Sequence, residues 1–293
     1  YSSTGHLSHG YHDQGIASLT FSRLESVGLE APRDAAGARY DPDTQNQYHL
    51  FTRANPTVSQ PLVRGNVGVL TASNYDSQRR TALLLHGWND NNILVVYIEM
   101  HWYSIDQQSL SLWLLGESVA RFMNWLLPAS GSTVDQLVII GFSMSGHQAG
   151  IVARNINGTV PYVSALDPAN VFHDSPNRLQ ITDALYVETI FTNAGVIADL
   201  GPLGHVSFYP NGGVDMPGCA GAPGCNHFRC FFYFAESVSS GGFTGRRCDT
   251  LSDALNGTCD SAATLSMGGL YPKIGITGIY YLETNAAPPF SMG

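Results

Sequence analysis

Charge is scarce in this chain. Asp, Glu, Lys and Arg make up 13% of its 293 residues, about half the share of an ordinary globular domain. Surface polarity therefore has to come largely from Gly, Ser, Asn and Thr. The net charge of −9 argues against a nucleic-acid partner and against electrostatic capture by anionic lipid. Any membrane contact would have to be apolar and interfacial. No apolar run reaches membrane-spanning length, so no transmembrane segment is expected. There is no C-x-x-C pair, and no histidine stands at zinc-ligand spacing from a cysteine. We expect neither a cofactor nor a tightly held metal. Tyr1 opens without a leader pattern, which reads as a mature chain whose leader has been removed. The sequence leaves oligomeric state open.

A length of 293 residues with 44% apolar content suits one large α/β domain with a substantial core. The five cysteines cluster between 219 and 259. Two local disulfides, Cys219 with Cys225 and Cys248 with Cys259, are the simplest pairing and imply an oxidising compartment. Cys230 is left over, either as a buried thiol or as a link to another chain. Sequons at Asn157 and Asn256 fit the same secreted, extracellular route, whereas the one at Asn55 is blocked by Pro56.

Residues 1–45, rich in His, Ser, Gly and Asp, read as an N-terminal arm with one short helix around Ile16–Glu25. His6, His9 and His12 read as part of a solvated arm. From residue 46 to 293 a single domain is expected. Short apolar runs at Tyr48–Thr52, Leu83–Leu85, Ile93–Tyr97 and Leu137–Ile140 read as buried strands of a mostly parallel sheet. Between the last two, apolar residues at Leu112, Leu115, Val119, Phe122, Met123 and Leu126 mark an amphipathic crossover helix ended by Pro128 and Gly131. Strand, helix, strand, helix is doubly wound α/β organisation. The aromatic run Phe231–Phe234 reads as core, and the region after Gly241 as the completion of the same domain.

The segment LVIIGFSMSGHQAG (137–150) has the layout of a nucleophile elbow, a tight strand-to-helix turn that exposes Ser143. Ser145 stands where the G-x-S-x-G pattern has its last glycine. A serine hydroxyl becomes nucleophilic only when an imidazole takes its proton and a carboxylate orients that imidazole. The order Ser, acid, His selects Asp167, where an apolar run ends before a proline. Downstream stand His173, His205 and His227. His227, immediately after the Cys225 bridge, is expected on an anchored loop. Oxyanion donors would be the N–H groups of Met144 and of Trp88, beside Gly87.

Together these pieces resemble the animal neutral, pancreatic-type lipase family, which includes short-lidded venom phospholipases and insect yolk lipase-like proteins. LHGW (85–88), the elbow with His147 and Gly150, ALDPA (165–169), GHVSFYPNGG (204–213), PGC (217–219), CNHFR (225–229), ES (236–237) and YYLETNAAPP (280–289) stand in family order. The resemblance covers about residues 45–290. It implies an α/β-hydrolase fold, a mostly parallel central sheet with helices on both faces, and a carboxylic ester hydrolase acting on lipids. It also implies Ser143 as nucleophile, Asp167 as acid, His227 as base and a structural place for His205. The chain departs from the family at Phe142 and Ser145. It also departs in the segment 175–183, where some relatives hold calcium. There only Arg178 and Asp183 match, Ser175 and Gln180 replacing carboxylates, so no tight calcium site is expected. The chain stops where pancreatic-type enzymes continue into a β-sandwich, so none is expected. The disulfide that in triglyceride lipases encloses a long flap would here enclose five residues, Ala220–Gly224. An open site favouring phospholipid or other amphiphilic esters follows. The competing expectation is an inactive or weak yolk, storage or lipid-binding relative.

Overall fold

Runs of Leu, Val and Ile that bury both of their faces belong in the middle of a parallel sheet, and that is where they lie. The computed structural model describes residues 41–87, 112–171 and 175–293, with the backbone alone of 101–105 and of 112. The expected helix near Ile16–Glu25, the three N-terminal histidines, the strand at Ile93–Tyr97, Trp88 and His173 lie outside the described residues. Among those residues the strands are β1 (Tyr48–Phe51), β2 (Gln60–Leu62), β3 (Thr81–Leu85), β4 (His101–Ile105), β5 (Leu137–Phe142), β6 (Tyr162–Leu166), β7 (Tyr186–Ile190), β8 (Val206–Pro210), β9 (Thr244–Cys248), β10 (Thr264–Ser266) and β11 (Gly278–Leu282). The helices are α1 (Pro42–Gln45), α2 (Val67–Thr71), α3 (Leu112–Ser130), α4 (Met144–Asn155), α5 (Cys225–Ser239) and α6 (Leu251–Asn256).

The strands form one sheet in the order β10-β9-β11-β8-β7-β6-β5-β3-β4-β1-β2. Pairing is parallel from β4 through β3, β5, β6, β7 and β8 to β11. Antiparallel strands close both edges. The pleat sends Leu137 and Ile139 of β5 into one core with α3 and α4. Val138, Ile140 and Phe142 enter a second core with α5 on the opposite face. Phe231, Tyr233 and Phe234 are buried in that second core, as the aromatic run predicts. The region after Gly241 supplies β9, β10 and β11 to the same sheet.

Helix α3 differs from expectation at its end. It continues through Pro128 to Ser130. Gly131 then takes φ 77°, and the N–H groups of Gly131 and Ser132 return to the carbonyls of Pro128 and Leu127. A proline in the last turn removes one helix bond without blocking the left-handed cap that follows. Pro42–Gln45, read from sequence as the end of the arm, form α1, with Asp41 as its N-cap. They are tied to α3 by Ser118 Oγ donating to the Pro42 carbonyl and by Arg121 pairing with Asp43.

One charged residue sits inside the sheet. Glu188 of β7 is fully buried and accepts from Tyr162 and Tyr186 hydroxyls, the Gly268 amide and Lys273 Nζ at 2.6 Å. All of its oxygens are engaged, as a buried carboxylate requires.

Candidate active site

Helix α4 starts immediately after β5, and the single residue between them is Ser143, at φ 58° and ψ −125°. A non-glycine residue in that region is strained, and such strain concentrates at functional turns. The neighbours make the turn possible. A Cβ on Gly141 would overlap the Ser145 carbonyl oxygen, so only glycine fits there. Ser145 is wholly buried, yet its hydroxyl has partners, donating to the His86 carbonyl at 2.6 Å and lying 3.0 Å from Gln148 Oε1. The extra hydroxymethyl group thus ties the elbow to the β3 loop. That loop passes close to the turn, since a Cβ on Gly87 would lie 3.3 Å from Ser143 Cβ. Met144 opens α4, where a backbone N–H lacks a helical partner and forms part of the positive end of the helix dipole.

Asp167 follows β6 with φ 47° and is fully buried. Its Oδ1 accepts the amides of Thr192 at 2.6 Å and Asn193 at 2.9 Å. Its Oδ2 lies 2.5 Å from His227 Nδ1. An ionised carboxylate that already accepts two amides is an acceptor for the ring as well, which leaves Nε2 as the basic nitrogen. Burial raises the Asp167 carboxyl above its ordinary value, opposed by the hydrogen bond and charge of His227 and by the two amides. His227 is on the first turn of α5 rather than on a loop. The Cys219–Cys225 disulfide, with Cα atoms 5.5 Å apart, anchors the start of that helix. The imidazole packs 4.6 Å, centroid to centroid, from Phe142, the residue before Ser143.

The second disulfide joins Cys248 and Cys259. Cys230 is a buried thiol that donates to the His227 carbonyl; burial and the Asp167 charge push its pKa well up and keep it protonated. Ala220, Gly221, Ala222 and Pro223 stand exposed as a short stub, braced by Arg229, which donates to the Pro217 carbonyl and to Cys219 Sγ. His205 accepts the Val187 amide beside β7. Asn157 and Asn256 are exposed. Sequence reasoning did not identify Thr192 and Asn193, whose contribution is backbone, nor the bonded role of Ser145. Among the described residues no group of His, Cys, Asp and Glu has metal-site geometry, and no helix is long and apolar enough to cross a membrane.

The family model described as Lipase matches residues 91–290, more than half of the chain. Pancreatic triacylglycerol lipase of Sus scrofa is 29% identical over 85% of this chain and 68% of its own length. Pancreatic lipase-related protein 2 of Cavia porcellus is 30% identical over 83% of this chain and 64% of its own. Lipase member H-B of Xenopus laevis is 27% identical over 73% and 53% respectively. This chain therefore spans between about half and two thirds of the length of such relatives. A mostly parallel sheet clad on both faces, a strained serine at a strand–helix turn, a buried Asp–His pair and this agreement along the sequence lead to one assignment: the chain belongs to the pancreatic-type lipase family, with an α/β-hydrolase fold.

Proposed function

We propose that the protein is a secreted hydrolase of phospholipid or other amphiphilic acyl esters, working through an acyl-enzyme. Ser143 Oγ attacks the ester carbonyl while His227 Nε2 takes its proton, and Asp167 holds the ring and stabilises the imidazolium. The oxyanion is received by the Met144 N–H and by the N–H of Trp88. His227 returns the proton to the departing alcohol. Water then repeats the sequence on the acyl-serine, releasing the fatty acid and restoring Ser143. The observation that carries this reading is the 2.5 Å bond between His227 Nδ1 and Asp167 Oδ2, made by two buried side chains sixty residues apart, close to a strained serine.

Two features beside the site support the reading of the substrate class. A five-residue stub between Cys219 and Cys225 offers no large apolar cover. On the 192–204 loop, whose first amides hold Asp167, Val196, Ile197 and Leu200 are 64%, 42% and 46% exposed. Among the described residues, a short stub with small exposed apolar contacts beside it supports action on amphiphilic esters at a lipid–water interface. Secretion is supported by the two disulfides and by the exposed sequons.

The test is a side-by-side assay of fatty-acid release from phosphatidylcholine vesicles and emulsified triolein, with fluorophosphonate labelling alongside. We expect labelling of the wild type, none of Ser143→Ala, and the faster rate on phosphatidylcholine. A clear preference for triolein would overturn the substrate class. An unlabelled, inactive wild type would overturn catalysis and leave a lipid-binding or storage role.

A further inference from the structure

Some relatives bind calcium in the segment corresponding to 175–183, and the residues here can be tested for that fit. They do not fit. The oxygens that converge in this segment already surround a cation belonging to the chain. Arg154, in the last turn of α4, donates through Nε to Asp183 Oδ1 at 2.9 Å and through one terminal nitrogen to Oδ2 at 2.8 Å. The same nitrogen reaches the Arg178 carbonyl at 3.0 Å, and the other reaches the Pro176 carbonyl at 2.5 Å. Two carboxylate and two carbonyl oxygens are the kind of donors a hard cation takes. Here a planar guanidinium takes them, using the forked geometry that an ammonium or a spherical ion does not have.

The surroundings are built for this. The Asp183 side chain is 2% exposed and that of Arg154 22%. The Gln180 amide donates to Asp183 Oδ2, closing a tight turn about the carboxylate. A Cβ on Gly150 would overlap that same Asp183 oxygen, so the carboxylate lies flush against α4 because position 150 is glycine. Asp183 is also the sole carboxylate in 175–183. One guanidinium balances one carboxylate, whereas a divalent ion here would keep surplus charge in a poorly solvated place.

We propose that Arg154 is the resident cation of this loop, a positioning residue that does covalently what a bound metal would do and makes the fold independent of calcium. The loop reaches the acid turn by two routes. The Leu179 amide donates to His147 Nδ1, and His147 Nε2 donates to the Ala169 carbonyl, two residues past Asp167. Arg178 pairs with Asp199 at 2.6 Å, whose amide donates to the Pro168 carbonyl. The consequence for Asp167 rests on the catalytic reading above, while the thermal and metal readouts do not.

The experiment compares melting temperatures in EDTA and in millimolar calcium for the wild type, Arg154→Lys, Arg154→Ser and Arg154→Ser/Gln180→Asp, with fluorophosphonate labelling rates in parallel. We expect no response of the wild type to either addition. In EDTA, Arg154→Ser should melt about 10 °C lower, since its partner carboxylate is left buried and alone, with Arg154→Lys between the two. In the double variant, which vacates the cage and restores a carboxylate, calcium should raise the melting temperature and the labelling rate together. A wild type that loses stability in EDTA, an Arg154→Ser protein as stable as the wild type, or a double variant indifferent to calcium would each overturn the proposal. If even the wild type is not labelled, the catalytic reading fails while the melting data still decide this one.

Discussion

At the scale of single residues, Ser145 shows how a departure from a motif can be compensated locally. The glycine at this place in the elbow pattern avoids a clash, and a serine there suggests crowding and a sluggish site. Instead its hydroxyl is bonded to the His86 carbonyl, so the added atoms connect the elbow to the loop beside it. Ser145→Gly should therefore destabilise the protein by about 1–2 kcal/mol, from one buried hydrogen bond plus the flexibility of an additional helical glycine, and should not raise activity. Chemical unfolding with the hydrolysis assay decides this; a faster and equally stable variant would restore the crowding account. The three residues proposed for chemistry were legible in the sequence because their types, order and turn signals are local. Arg154 was not legible, because nothing in its own stretch signals an aspartate twenty-nine positions away. Thr192 and Asn193 were illegible for a different reason: they act through amides that every residue except proline possesses.

Among elements, those that obey one strong period were readable and those at edges were not. β3 and β5 announce themselves as unbroken apolar runs. β9 does not, because three of its five residues face water and it carries Arg246 and Arg247 in its middle; only its pairing with β10 and β11 makes it a strand. β7 hides behind Glu188, a charge that becomes admissible only once Lys273 and Tyr162 reach it from elsewhere and Tyr186 bonds it from the same strand. His227 was expected on a loop because a disulfide precedes it, yet Cys225 of that disulfide is the first residue of α5. Helix α6 offers a prediction of its own. Its capping box pairs Thr250 with Asp253, and the hydrogen bond from the Thr250 side chain holds the Asp253 carboxyl below its ordinary value. A depressed value in the folded state means that the stabilisation is present above pH 3.8, the ordinary value, and is lost as pH falls through the folded one. Asp253→Asn should lower the melting temperature at neutral pH, and the gap from wild type should close in strong acid. A gap that persists there would show that the carboxylate charge is not its source.

For the whole molecule, the covalent ties are unevenly placed. Both disulfides lie in the last third of the chain, one at the foot of α5 and one joining the end of β9 to the turn after α6, while the thiol of Cys230 is sealed between them in the core. A thiol reagent applied without reductant should thus count no cysteine in the native protein and one per chain after unfolding in denaturant. Two or more would contradict the disulfide pattern, and one in the native state would contradict the burial of Cys230. The core that seals it also engages the chain's single lysine, whose ammonium is clasped by Glu188 and the Gly268 carbonyl. Acylating dyes, cross-linkers and resins that seek lysine amines consequently meet one ammonium, 18% exposed and held in an ion pair, and rapid lysine coupling reports that the clasp around β7 has come open.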